Sequence, residues 1–404
     1  MKFYVESYGC TMNQGETEMI AESLEEEGHV QVDSLDEADK ALIGTCVVIK
    51  KTEERMKKRI EKLEEDCSEV IVAGCLSSTH KEEMQERCSA LGFIQPSDVE
   101  MSETLLRSKE DSVIGTIPIS SGCSGNCTYC ITRLARGTIE SRPLLKIKKR
   151  FEQLLSTSTK EIRLTSQDAA LYGRDLNSDI TELLEELLKI EGDYRLRIGM
   201  MNVDTLEHIK SEFMDIMEDE RVYKFLHLPL QSGSDKILKK MNRNYTVEQW
   251  KKTAEEFKER FPDLTLSTDV IVGFPGETKK DFEKTKEVIM NIKPDIINVT
   301  RFSPREGTKA AEMEDKVHSR KKKERSKEMT DLRFKISREL NEKYVDRKTE
   351  VLILEEGKGD SLKGRMNNYK VVVLKKEDKE LIGEWKKVNI KSAEDIYLLG
   401  EITR

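Results

Sequence analysis

Cys123, Cys127 and Cys130 stand in Gly122-Cys123-Ser124-Gly125-Asn126-Cys127-Thr128-Tyr129-Cys130, a C-x3-C-x2-C spacing on one short loop. Three thiolates this close in sequence can clamp three irons of a [4Fe–4S] cluster. Such clusters usually take four cysteines, so this loop leaves the fourth iron open to a ligand that is not protein. The competing chemistry is a zinc knuckle, but structural zinc wants four ligands and no histidine lies nearby to complete the set.

Cys10, Cys46 and Cys75 are far apart, yet each follows a stretch that reads as a strand, in Tyr8-Gly9-Cys10, Gly44-Thr45-Cys46 and Ala73-Gly74-Cys75. In a parallel sheet the carboxyl ends of neighbouring strands share one edge, so these thiols can converge on a second three-cysteine site. The small residue beside each lets backbone approach a bulky cluster. On spacing alone a second reading stays open: three unrelated core cysteines, since free Cys is often buried. Cys67 and Cys88 follow no strand and read as ordinary residues.

Other chemical groups gather past strand ends. Asp269-Val270-Ile271-Val272-Gly273-Phe274-Pro275-Gly276-Glu277-Thr278 runs from a strand into a helix. Its glycines allow close approach to a ligand and the helix start favours an anion, although a tight turn explains it equally well. Leu164-Thr165-Ser166-Gln167-Asp168 and Leu228-Pro229-Leu230-Gln231-Ser232-Gly233 place polar groups in the same kind of position. His29, His80, His208 and His318 read as surface or cap residues, and His227 sits near a strand end without an obvious partner. There is no Ser-His-Asp set, P-loop or zinc-hydrolase motif.

The elements that must position these residues fall into three units. Strands at 2–6, 38–45 and 70–74, with helices at 16–27 and 52–65, make a βαβαβ pattern and predict an N-terminal parallel α/β sheet. A boundary is expected near 100–112, where the hydrophobic pattern lapses. Six strands then follow at 113–120, 161–165, 195–200, 225–228, 266–273 and 295–302, with helices between them such as 179–190, 205–217, 247–260 and 279–290. Six βα units are too few for the closed eight-fold barrel, so a partial, open barrel is expected, with the cysteine loop at its carboxyl mouth. A charged connector helix covers 316–343. Five short strands at 351–355, 361–367, 370–374, 385–391 and 397–401 then predict a small all-β barrel of the kind that binds oligonucleotides.

The chain has 404 residues, enough for two or three domains. Its charge of −8 hides an asymmetry: residues 1–110 carry 13 Lys+Arg against 25 Asp+Glu, while 316–349 carry 13 against 6. A polyanion would be met at the basic end; a solvated helix face is the plainer reading of Arg320-Lys321-Lys322-Lys323-Glu324-Arg325. No stretch approaches 18 apolar residues and no secretory signal is visible, so no membrane is expected and the compartment reads as reducing and cytoplasmic. There the eight cysteines serve as metal ligands or reactive thiols rather than disulfides.

Together these residues resemble the radical S-adenosylmethionine (SAM) methylthiotransferases over essentially the whole chain. The C-x3-C-x2-C loop with Tyr129 matches the radical SAM signature. Gly9, Cys10 and Asn13 match the family's Gly-Cys-x-x-Asn opening, which assigns Cys10, Cys46 and Cys75 to a second cluster. Gly364-Arg365-Met366-Asn367-Asn368-Tyr369 sits where the family has its RNA-binding TRAM domain. Gly44 departs from the Asn that many members carry before Thr-Cys, without removing a ligand. The run Cys130-Ile131-Thr132-Arg133-Leu134-Ala135-Arg136-Gly137, with Glu6-Ser7-Tyr8-Gly9-Cys10, looks like the archaeal and eukaryotic branch.

The resemblance implies the rest. The domains are 1–110, a methylthiotransferase domain with the second cluster; 111–342, a partial (βα)6 radical SAM barrel with a basic connector helix; and 343–404, an OB-like TRAM barrel. The cofactors are two [4Fe–4S] clusters, held by Cys123, Cys127 and Cys130 and by Cys10, Cys46 and Cys75, with SAM contacted by Tyr129, Gln167, Asp168, Gln231, Arg243, Gly273, Pro275 and Gly276. One SAM, cleaved by one electron, yields a 5′-deoxyadenosyl radical that takes the C2 hydrogen of N6-threonylcarbamoyladenosine in tRNA. The second cluster delivers a methylthio group whose methyl comes from another SAM. No catalytic residue is expected beyond the cluster ligands. Lys363, Arg365, Asn367 and Tyr369 would meet RNA. The implied partners are tRNA, a flavodoxin- or ferredoxin-like electron donor and a sulfur donor, with a monomer as default. Competing readings are the same chemistry on isopentenyladenosine tRNA or a ribosomal-protein aspartate, a non-catalytic Fe–S RNA-binding redox sensor, and a zinc-binding RNA module.

Overall fold

The computed structural model describes residues 1–101, 112–375 and 379–403. The boundary expected near 100–112, including the 110/111 division, therefore lies largely outside the described residues. In the first unit, β1 (Lys2–Ser7), β2 (Val30–Val32), β3 (Lys40–Thr45), β4 (Glu69–Gly74) and β5 (Leu91–Ile94) form a parallel sheet in the order β2-β1-β3-β4-β5. The central β3 and β4 are apolar on both faces because the helices Thr11–Glu26 and Lys50–Asp66 belong to this unit, and such strands read as continuous hydrophobic runs. The short β2 and β5 escape the sequence reading, since three or four residues carry too little alternation. Register sets the functional edge. Ser7 pairs with Gly44 and Thr45 with Gly74, so Cys46 and Cys75 leave the sheet at one level.

The second unit holds β6 (Ile114–Pro118), a small antiparallel pair β7 (Ser120–Ser121) and β8 (Glu140–Ser141), and then β9 (Glu161–Thr165), β10 (Arg195–Ile198), β11 (Phe225–His227), β12 (Thr265–Val272) and β13 (Ile296–Arg301). Two parallel three-stranded sheets, β6-β9-β10 and β11-β12-β13, are joined where Tyr223 N donates to Leu196 O at 3.0 Å. β6 and β13 are the edges, so the barrel is open, and all six expected strands are present. Alternate residues such as Ile162, Leu164, Leu196, Leu226, Leu266 and Val270 enter the helix-covered core. Their neighbours Arg163, Arg197, His227 and Asp269 face the barrel interior, as the two-residue period requires.

The helix Ser319–Glu342 buries Met329 and Ile336 against this core and leads to the third unit. There β14 (Lys348–Glu356), β15 (Ser361–Arg365), β16 (Val371–Lys375), β17 (Trp385–Ala393) and β18 (Leu398–Ile402) close into a barrel in the order β14-β15-β16-β18-β17. Val351, Ile353, Leu362, Val372, Leu374, Val388, Ile390 and Leu398 fill it. The loop between β15 and β16 docks under the central barrel. Lys224 N donates to Asn367 O at 2.9 Å, Asn368 Nδ2 to Asp263 O at 3.0 Å, and Lys370 Nζ to Asp295 Oδ1 at 2.7 Å. Among the described residues no helix is long and apolar enough to cross a membrane.

Candidate metal centre and cofactor pocket

The amino-terminal trio is assembled by side chains that tie three strand ends together. Asn13, in the helix that Cys10 opens, donates from Nδ2 to Thr45 O at 2.6 Å and to Tyr8 O at 3.3 Å. Thr45 Oγ1 bonds Ala73 O and accepts from Leu76 N at 3.2 Å. The backbones beside Cys10, Cys46 and Cys75 are thus cross-linked in sequence. Gly9 permits this closeness: at φ +107°, a Cβ there would lie 2.9 Å from Cys46 Cβ and 2.7 Å from Asn13 Nδ2. At the departing position Gly44, a Cβ would fall 2.0 Å from Thr17 Oγ1, so Thr17 occupies the space a side chain would need.

The loop of Cys123, Cys127 and Cys130 is held by two arginines. Arg133 Nη1 donates to Cys123 O at 3.1 Å and to Gly125 O at 2.7 Å, while Gly125 N donates to Cys123 Sγ at 3.2 Å. Arg243 Nη1 donates to Cys127 Sγ at 3.2 Å, and its other nitrogen meets Asn202 Oδ1. Asn202 in turn donates to Asp168 Oδ2 at 2.7 Å, where Thr205 also donates at 3.0 Å. Tyr129 packs edge-on to Phe274, with centroids 6.2 Å apart, above a small core that includes Ile237, Met241 and Phe302.

The two cysteine-bearing units meet through Arg136, a residue the sequence reading did not single out as a site. Arg136, in the short helix Thr132–Arg136 after the cysteine loop, reaches into the first unit. Its Nη1 donates to Glu16 Oε1 at 2.5 Å, and its Nη2 to Glu16 Oε2 and Asn13 Oδ1, both at 2.6 Å. Burial opposes its charge, but Glu16 and Cys75 hold the guanidinium above its ordinary pKa. Gln167 Nε2, at the end of β9, donates to Met12 Sδ at 2.6 Å across the same interface. Arg305, which follows β13, pairs with buried Glu53. Isolated charged residues at Glu16, Glu53 and Arg305 carry no local pattern, so only their partners reveal them.

The donor chemistry fits iron–sulfur clusters. Burial pushes the free thiols of Cys75 and Cys123 up to about 11 and raises Cys46, so these sulfurs resist ionising unless a metal compensates. Among the described residues no three His, Cys, Asp or Glu side chains are gathered tightly enough to hold one ion. The barrel mouth fits a polar ligand as well. Thr165 Oγ1, Ser166 Oγ, Gln167 Oε1 and Gln231 Oε1 are buried without a hydrogen-bond partner among the described residues, and Gln231 holds a left-handed φ of +63°. Such groups need partners, and several sit just past the ends of β9 and β11.

The other expected site residues sit in varied surroundings. Asp168 is 1% exposed and engaged with Asn202 and Thr205, and Asn202 in turn meets Arg243. Burial raises its carboxyl, against those bonds. Gly273 and Gly276 form a turn whose open faces are already covered, since a Cβ would fall 2.2 Å from Lys322 Cγ or from Lys240 Nζ. Pro275 between them is buried. Tyr369 is 8% exposed and stacks on Phe225 and Tyr223 at 4.7 and 4.9 Å, beneath the central barrel, so its ring is not offered to a base. Arg365 lies over that ring at 4.1 Å, and the Asn367 backbone bonds Lys224. Lys363 pairs with Glu355 at 3.2 Å on the surface. In the basic run, Arg325 is buried on Glu277 and Lys322 caps Phe302 O, leaving Lys321 and Lys323 exposed. His227 has a partner after all, Asp269 at 3.0 Å, and His80 is half-buried on Glu53. Cys67 and Cys88 are buried in the core of the first unit.

Known proteins agree with this layout. Residues 117–289 match the model of the Radical SAM superfamily, 2–94 that of Uncharacterized protein family UPF0004, and 342–403 that of the TRAM domain. The chain is 40% identical over 423 residues to a Methanocaldococcus jannaschii protein named a probable threonylcarbamoyladenosine tRNA methylthiotransferase, covering 100% of this chain and 97% of that one. A Pyrococcus horikoshii protein of the same name is 38% identical over 426 residues, with 100% and 99% covered. A Thermosipho africanus protein named tRNA-2-methylthio-N(6)-dimethylallyladenosine synthase is 33% identical over 431 residues, covering 100% of both. Among solved structures, the radical S-adenosylmethionine methyltransferase TsrM from Kitasatospora setae superposes with a TM-score of 0.56 over 77% of each chain. At 12% identity that likeness is of fold alone.

Proposed function

The chain belongs to the radical SAM tRNA methylthiotransferases, and on that footing we propose that it methylthiolates C2 of N6-threonylcarbamoyladenosine next to the anticodon, giving 2-methylthio-N6-threonylcarbamoyladenosine. Full-length similarity to relatives named for that nucleoside carries this reading; the relative named for the dimethylallyl form matches at lower identity. The C2 hydrogen is not acidic, so no side-chain base removes it. A [4Fe–4S] cluster with SAM, held by Cys123, Cys127 and Cys130, would supply the one-electron chemistry that does, and a second cluster would supply the sulfur, its methyl coming from another SAM.

The chain's own residues hold and orient. Cys123, Cys127 and Cys130 hold the first cluster, and Cys10, Cys46 and Cys75 the second. Arg133 shapes the first loop and Arg243 steadies Cys127. Thr165, Ser166, Gln167 and Gln231 offer their unpaired oxygens to the polar groups of SAM, and Tyr129 is a further contact. A barrel open between β6 and β13 admits a base splayed out of its loop. The C-terminal barrel and the exposed lysines of the connector helix grip phosphates, with Lys363 among them. A small electron-transfer protein and a sulfur donor complete the reaction. The domains are divided at 1–110, 111–342 and 343–404.

Mass spectrometry of tRNA nucleosides from a deletion strain tests the substrate. Loss of the methylthio mark on threonylcarbamoyladenosine, restored by the wild-type chain but not by Cys46→Ala, is expected. An unchanged nucleoside profile, or loss only of the isopentenyl form, refutes the assignment.

A further inference from the structure

Among the described residues, three arginines of the central unit enter buried ion pairs with the amino-terminal sheet unit: Arg136 with Glu16, Arg150 with Glu22 and Arg305 with Glu53. All six side chains are 5% exposed or less. Buried pairs contribute little net stability, because desolvation offsets attraction, but breaking one leaves an unpaired buried charge. They therefore specify how two surfaces register. Two of these pairs also border the amino-terminal cysteines. Arg136 bonds Asn13, whose amide donates to the Thr45 carbonyl next to Cys46 and lies against Gly9 next to Cys10. Arg305 pairs with Glu53 on the helix Lys50–Asp66 that follows Cys46, and Glu53 is itself held by Lys57 at 3.3 Å and His80 at 3.3 Å.

We propose that Arg136 and Arg305 are positioning residues for the amino-terminal cysteine trio, each locking the trio's domain to the barrel mouth through a buried carboxylate while holding positive charge against the trio's sulfurs. The proposal rests on the two-cluster reading. A cluster on three thiolates becomes more negative when reduced. A fixed cation in a low-dielectric setting stabilises that form and raises the reduction potential. The same two contacts thus set where the second cluster sits and how readily it accepts an electron. The Arg150–Glu22 pair makes an equally buried latch and serves as the internal comparison.

The test uses the full chain carrying Cys123→Ala, Cys127→Ala and Cys130→Ala, reconstituted anaerobically so that only the amino-terminal cluster forms. Iron and sulfide content are measured, and the midpoint potential is followed by electron paramagnetic resonance. Paired neutral variants avoid stranding a charge: Arg136→Gln with Glu16→Gln, Arg305→Gln with Glu53→Gln, and Arg150→Gln with Glu22→Gln. The first two are expected to shift the potential to more negative values, or to lose iron, while the third matches the parent. Arg136→Lys, which keeps the charge, is expected to recover part of the shift. Equal potentials and equal iron in all three paired variants overturn the proposal, as does equal loss of iron in all three. A parent that binds no iron overturns the two-cluster reading itself, a result distinct from either.

Discussion

Asn13 joins the ends of two strands: its side-chain amide donates to the Thr45 carbonyl at 2.6 Å, and its oxygen receives Arg136 from the other cysteine-bearing unit at 2.6 Å. One amide therefore ties the carbonyls of Tyr8 and Thr45, just ahead of Cys10 and Cys46, to Arg136. It explains why an asparagine stands three residues after the first cysteine.

Asn13→Ala leaves the Thr45 carbonyl and part of Arg136 unpaired in a buried place, a loss of about 1–3 kcal/mol. Iron content of the anaerobic protein is expected to fall from the two-cluster toward the one-cluster value. Unchanged iron would show that the amide does not organise the trio.

Asp168 acts through Asn202 on Arg243, which contacts Cys127. Asp168→Ala strands Asn202 and Thr205 and is expected to weaken SAM binding by about tenfold or more, the equivalent of roughly 1.4 kcal/mol for one lost buried bond. Equilibrium binding of SAM to the reconstituted protein measures this. If Asp168→Ala binds SAM as wild type does, the relay through Asn202 has no function.

Tyr369 is the pin between the central and C-terminal barrels, stacked on Phe225 and Tyr223. Tyr369→Ala is expected to cost about 3 kcal/mol, in the range of aromatic truncations in cores. The C-terminal barrel should then be released by limited proteolysis at low protease, whereas Tyr369→Phe should stay protected. Weakened tRNA binding by Tyr369→Phe, with protection intact, would instead mark the hydroxyl as an RNA contact.

Lys321, Lys323 and Lys327 lie exposed on the connector helix. Binding of tRNA should weaken steeply as salt rises. Each lysine that meets a phosphate contributes about one unit to the slope of log affinity against log salt. Changing all three to glutamate is expected to flatten that slope. A slope equal to wild type would move the phosphate grip elsewhere on the protein.

The six barrel strands and the five strands of the small barrel are legible from residue order, because side-chain direction repeats every two residues in a strand and every 3.6 in a helix, whereas the grouping of Cys10, Cys46 and Cys75 comes from the family resemblance. A C-x3-C-x2-C loop is likewise a local fact: its thiols are near each other whatever surrounds them. Contacts between units are not local. Glu16, Glu53, Arg136 and Arg305 look like ordinary charges along the chain, and only packing makes them buried partners across an interface. Tyr369 and Arg365 sit in a motif that suggested RNA, yet tertiary structure turns both under the central barrel. Chain order settles which residues share a strand or a helix face. Which buried charge finds its opposite, and which aromatic ring is covered, is decided when the units close on one another, because desolvation penalises every polar group that fails to find its partner there.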